Sequence, residues 1–159
     1  MTTITIEIEA DEYADSPREW RSACALFLGG NRGINETEVL FSDHDTTDSF
    51  EAAVLETLPA GAYALPVYHY THGNVALSTS PIPNPHLGFD SGRAGVAFAF
   101  PGTEIEEVEA ELSEYAQYLN GEVYQVSVEG AGIDEACGGF YSGDAIREFV
   151  SEALAGVVL

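Results

Sequence analysis

An α+β fold with a mainly antiparallel sheet and about three helices, in the order ββαβββαββα, is the architecture that this 159-residue chain predicts. Three observations carry it. Thr3 to Glu9 alternates apolar and polar residues, and Ile105, Val108, Leu112, Tyr115 and Leu119 recur at spacings of three and four. The strand-like runs are joined by connections of hairpin length, which favours antiparallel neighbours with the helices packed on one face.

In chain order, Ile4, Ile6 and Ile8 form one side of a half-buried first strand. Asp15-Ser16-Pro17 is a turn signal, and Arg21 to Leu28 reads as a second strand stopped by Gly29-Gly30. Asn31 to Thr47 is polar and loop-like. A helix capped by Asp48 or Ser49 follows, with Phe50, Val54, Leu55 and Leu58 as its apolar stripe, and Pro59-Ala60-Gly61 ends it. Tyr63 to Tyr70 and Asn74 to Thr79 make a hairpin through Thr71-His72-Gly73-Asn74, with Gly or Asn taking the positive φ. Ser80 to Arg93, with three prolines and two glycines, predicts an irregular loop, and Ala94 to Phe100 is apolar enough for a central strand.

The longest helix has Thr103 as its expected cap, Glu106 in capping-box position, and Asn120-Gly121 as its end. Glu104, Glu107, Glu111 and Glu114 fall on its expected outer face with no cation between them. Glu122 to Glu129 and Ala136 to Tyr141 read as paired strands. Asp144 caps a last helix carrying Ile146, Phe149, Val150 and Leu154.

Length fits a single domain over residues 1–159, and 45% apolar content supplies a core without disulfides or metals. No apolar run approaches the roughly 18 residues that span a bilayer, and the N-terminus lacks a signal-peptide pattern, so the expectation is a cytoplasmic protein. Cys24 and Cys137 sit in apolar settings without CxxC or Cys/His spacing, which predicts two buried thiols outside any disulfide or zinc site.

Charge is the dominant feature: 27 acidic residues against 5 arginines, no lysine, and a net charge of -22. Such a surface repels phosphates and anionic lipids, so neither direct nucleic-acid binding nor membrane binding is expected, whereas a basic protein partner is electrostatically suited. The acids are spread along the whole chain. That spread, with the absence of lysine and its long apolar stem, points to adaptation to concentrated salt in a halophilic host; mimicry of DNA is the competing explanation.

Five segments occur in order: SPREW (Ser16–Trp20), PVYHYTHGNVALSTSP (Pro66–Pro81), DSGRAG (Asp90–Gly95), YLNGEVY (Tyr118–Tyr124) and CGGFYSGD (Cys137–Asp144). Together they resemble a family of small uncharacterised proteins encoded by tailed viruses of prokaryotes. The resemblance implies a viral accessory role and transfers no catalytic residue. It departs from the pattern before DSGRAG, where relatives carry a short link with cysteine and tryptophan and this chain has Ile82 to Phe89.

Candidate chemistry centres on the hairpin and the following loop. His72, Asp90 and Ser91 are the residue types of a hydrolase triad, without a GxSxG elbow; against this, Asp90-Ser91-Gly92 reads as a tight turn. Tyr68, Tyr70, His72, Asp90 and Arg93 form the candidate binding set. A metal site from His69 and His72, with His44, His86, Asp43, Asp45 and Asp90 as further donors, is disfavoured because residues three apart on a strand face opposite ways. Gly29-Gly30-Asn31-Arg32-Gly33 matches no phosphate-binding loop, so no cofactor is expected. The function read from the sequence is an accessory protein acting by binding a host or viral protein. A hydrolase, a DNA mimic and a virion structural protein are the alternatives.

Overall fold

The structure is a computed structural model and describes residues 3–21, 23–28, 48–82 and 91–157. These residues form β1 (Thr5–Ala10), β2 (Cys24–Leu28), α1 (Asp48–Thr57), β3 (Tyr63–His72), β4 (Asn74–Ser78), β5 (Ser91–Ala99), α2 (Ile105–Leu119), β6 (Tyr124–Gly130), β7 (Ile133–Phe140) and α3 (Gly143–Leu154), with a 3-10 turn at Pro17–Glu19. The order is ββαβββαββα, and every strand pair is antiparallel, in the two sheets β2-β5-β3-β4 and β1-β6-β7. The chain divides into two compact units, Pro17–Asn120 and Met1–Ser16 with Gly121–Leu159. Among the described residues no helix is long and apolar enough to cross a membrane.

In the Pro17–Asn120 unit, β5 lies between β2 and β3 and is buried from Ala94 to Ala99. A strand buried on both faces is read as a continuous apolar run, and that is what this segment is. Gly95 is required there, because a Cβ would collide with the Phe27 carbonyl of β2. One face packs Cys24, Leu26, Leu28, Val67, Val75 and Leu77 against Val108, Leu112, Tyr115 and Ala116 of α2. Each fully buried side chain of this size contributes about 1.5–3 kcal/mol. The hairpin turns at Gly73 with φ 82°, a conformation open to glycine at no steric cost.

Helix α2 begins one residue later than the sequence predicts. Thr103 is engaged in a turn, its N–H donating to the Phe100 carbonyl (3.1 Å), so Glu104 becomes the cap and its N–H donates to Glu107 Oε2 (2.8 Å). At the other end the Asn120 side chain acts as a strand substitute. Its Nδ2 donates to the Val75 carbonyl (2.9 Å), and Val75 N–H donates to its Oδ1 (2.7 Å), fastening α2 to β4.

The expected outer face of α2 is also corrected. Glu111 is buried and pairs with Arg18 (2.8 Å), and Glu114 takes both Arg21 Nε and NH2 (2.9 and 2.6 Å). Both arginines come from the 3-10 turn and its C-terminal side, where Trp20 and Arg21 N–H groups donate to the Pro17 carbonyl.

In the other unit β6 is the middle strand, and α3 packs over β6 and β7 through Ile146, Phe149, Val150 and Leu154. Its cap is Ser142, whose Oγ accepts from Ala145 N–H (3.1 Å), rather than Asp144, which lies within the first turn and pairs with Arg147 (2.7 Å). Strand β1 forms where expected, but Ile6 and Ile8 are 43% and 53% exposed rather than half-buried. They share a face with Val128 and Val126, yet β1 is the edge strand and α3 lies over the other two. Cys137 is likewise exposed, against the expectation of burial, because β7 is the opposite edge and stands in solvent from Asp134 to Gly139. No disulfide joins Cys24 and Cys137, and Cys24 is buried.

Asp11 ties the three strands of this sheet together. Its N–H donates to the Val123 carbonyl (2.8 Å), and its Oδ2 accepts from Gly139 N–H (2.9 Å) at the register shift of β7. Gly139 has φ 76°, and a Cβ on Gly138 would lie 2.5 Å from Asp11 Oδ2. The glycine pair therefore makes room for a carboxylate.

Candidate functional site

The alternation of β3 sorts the sequence-predicted residues. Val67, His69 and Thr71 share the face packed on α2, and Tyr68, Tyr70 and His72 share the opposite face. His69 is 6% exposed, with Nδ1 2.9 Å from Thr71 Oγ1, while His72 is exposed. These two histidines therefore point to opposite sides of the sheet and do not converge on one ion. His44, His86, Asp43, Asp45 and Asp90 lie outside the described residues. Among the described residues no group of three or more His, Cys, Asp and Glu side chains is placed to hold a metal.

Strand register brings two residues of β5 alongside the tyrosines. Ser91 lies opposite Tyr70 and Arg93 opposite Tyr68, so both join the Tyr68-Tyr70-His72 face. Ser91 and Gly92 are thus strand residues rather than part of the expected tight turn. β3 is longer than the apolar run of β5, and its backbone recruits Ser91 to Arg93 into the ladder regardless of their polarity. Directly opposed residues in such a ladder share a face, with Cβ atoms about 4.5–5.5 Å apart. From β4, Ser78, Ala76 and Asn74 complete the row opposite Tyr68, Tyr70 and His72.

The strip is aromatic and partly exposed. The Tyr70 and His72 rings lie 6.3 Å apart at 41°, Tyr68 and Tyr70 are half-buried, and His72, Asn74 and Ala76 are exposed. Arg93 is anchored rather than presented: its NH2 pairs with Glu51 of α1 (2.6 Å), and its Nε donates to the Gly95 carbonyl (3.3 Å). Its part is to hold α1 at the margin of the strip.

Two arrangements escaped the sequence reading. Glu109 of α2 accepts from Thr79 N–H (2.8 Å), Ser78 Oγ (3.2 Å) and Thr79 Oγ1, closing the end of β4. In the three-stranded sheet, a groove of about 320 Å³ on the polar face is lined by Glu7 and Glu9 of β1, Gln125 and Ser127 of β6, and Ala136 and Cys137 of β7. The alternating Glu7 and Glu9 of TIEIEA were a readable signal for that face; the groove itself needs the pairing of β1 with β6.

Comparison of the chain with protein-family models, curated proteins and solved structures finds no match.

Proposed function

We propose that this chain is a virus-encoded accessory protein that acts by binding another protein, in a host whose cytoplasm holds concentrated salt. The observation that carries the binding reading is the row Tyr68, Tyr70 and His72, aligned on one sheet face with the tyrosines half-buried and His72 exposed. Aromatic side chains of this kind offer large contact area at low entropic cost and are enriched at protein interfaces.

The shared motifs divide in a way that supports this. Arg18 of SPREW, Gly95 of DSGRAG, Asn120 of YLNGEVY and Gly138-Gly139 of CGGFYSGD each serve the fold. Among the described residues the tyrosines of PVYHYTHG do not belong to the core cluster packed on α2, which Tyr63, Tyr115 and Tyr118 join instead. The high-salt setting is supported by the net charge of -22 and by the pairing of Arg18, Arg21, Arg93 and Arg147, the arginines among the described residues, with carboxylates.

A hydrolase is the second reading, favoured by Ser91 and His72 sharing that face two register steps apart. The test is capture of a partner from infected cells at molar salt, with the unfolding midpoint of each variant measured alongside. Loss of that partner by a stable Tyr68→Ala/Tyr70→Ala variant is the expected result, and retention of the partner refutes the strip. A Ser91→Ala protein that folds, keeps the partner and loses biological activity would establish the hydrolase instead.

A further inference from the structure

β1 is an edge of a kind that proteins seldom leave open. It pairs with β6 over six consecutive residues without a bulge, it has no proline or lysine, and all six residues are exposed. Among the described residues no strand takes its outer edge. Natural edges are blunted by lysine, proline, bulges or inward-pointing charge. β7, at the other edge, has such a bulge at Gly138-Gly139; β1 has only Glu7 and Glu9.

Those two carboxylates decide what can add to it. Opposed residues of an antiparallel pair share a face, so a second copy centred on Glu7 or Ile8 sets Glu7 against Glu7 or Glu9 of its partner, and one centred on Ile6 sets Glu7 against Thr5 with the partner's Glu7 on the diagonal of the same face. Like charges directly opposite are destabilising, and the net charge of -22 adds to that repulsion. A strand with cations at alternate positions meets Glu7 and Glu9 favourably and has the groove beside Gln125, Ser127 and Cys137 in which to lay long side chains. Its intervening apolar residues would cover Ile6 and Ile8.

We infer that β1 is a docking edge for an extended segment of a partner protein that alternates apolar residues with arginine or lysine and adds as a fourth strand to the β1-β6-β7 sheet. This rests on the protein-binding reading and names the chemistry of a partner at a second surface. Backbone hydrogen bonds and Ile6 and Ile8 supply attraction that salt does not screen, and the carboxylates select the sequence.

The test uses the full chain at the lowest salt at which it is folded, with a peptide of β1's length alternating valine and arginine, and a second peptide with glutamate for arginine. The arginine peptide should bind, slow hydrogen exchange at alternate amides of Thr5–Ala10, and bind about tenfold more weakly to Glu7→Gln/Glu9→Gln, as expected when close charge pairs are removed. Glu148→Gln/Glu152→Gln, which changes net charge equally on the exposed side of α3, should bind like the unmodified chain. The inference is overturned by absence of binding, by equal binding of the glutamate peptide, or by equal weakening in both variants, which marks diffuse attraction. Sedimentation showing a dimer that the arginine peptide does not dissociate would overturn it in favour of a second copy. Capture of a partner that depends on Tyr68 and Tyr70 stands or falls separately.

Discussion

Arg18 and Glu111, 93 positions apart, form an ion pair of 2.8 Å in which each side chain is only 8% exposed. The same carboxylate accepts from Ala23 N–H (2.9 Å), and Arg18 NH2 donates to the Cys24 carbonyl (2.7 Å). One pair thus fixes the entry to β2 against the middle of α2. Breaking one side of such a pair leaves an uncompensated buried charge, which costs about 3–5 kcal/mol.

Glu111→Ala should therefore destabilise by about 3–5 kcal/mol in denaturant unfolding. Arg18→Met/Glu111→Leu should recover only part of that, because Ala23 N–H still loses its acceptor, at about 1–3 kcal/mol. Arg21→Ala, at a pair with the arginine 47% exposed, should cost no more than about 1 kcal/mol. Equal losses at Arg18 and Arg21 would contradict the burial argument.

Asn120→Ala removes both bonds to Val75 and strands a backbone donor and acceptor of β4. A loss of about 1–3 kcal/mol is expected. Asn120→Asp keeps the acceptor but not the donor and should fall between the two proteins.

Asp11→Ala and Gly138→Ala attack the same arrangement from its two sides. Each should destabilise by about 1–3 kcal/mol, and the double variant should be less destabilised than the sum, since the added methyl group collides with the carboxylate that Asp11→Ala removes. Strict additivity would show that the two residues are not coupled.

Stability should rise with NaCl into the molar range. The -22 net charge repels within a Debye length that shrinks from about 10 Å at 0.1 M to about 3 Å at 1 M. The Arg18–Glu111 pair, being buried, should be screened least, so the deficit of Glu111→Ala should persist at high salt. A thermal midpoint independent of NaCl would remove the basis for a halophilic host.

Thiol titration should distinguish the cysteines. Cys137, exposed on an edge strand, should react in the native protein, and Cys24 only after unfolding. Two rapid equivalents in the native state would place Cys24 outside the core.

What the sequence by itself determined is local. The order of elements, the apolar stripes of α2 and α3, the turn at Gly73, the central place of β5 and the opposed faces of His69 and His72 all follow from side-chain period and turn chemistry within a few residues. The candidate strip was legible for the same reason, since Tyr68, Tyr70 and His72 alternate on one strand. What tertiary structure decided is the partner of each group: β1 pairs with β6 across more than a hundred residues, Glu111 and not Glu107 goes under Arg18, Ser91 joins a strand, and Cys137 and Ile8 face water. A carboxylate or a β-branched residue is the same in sequence whether it meets solvent or a guanidinium. Only the closure of long loops, which no local pattern encodes, brings the second group to it.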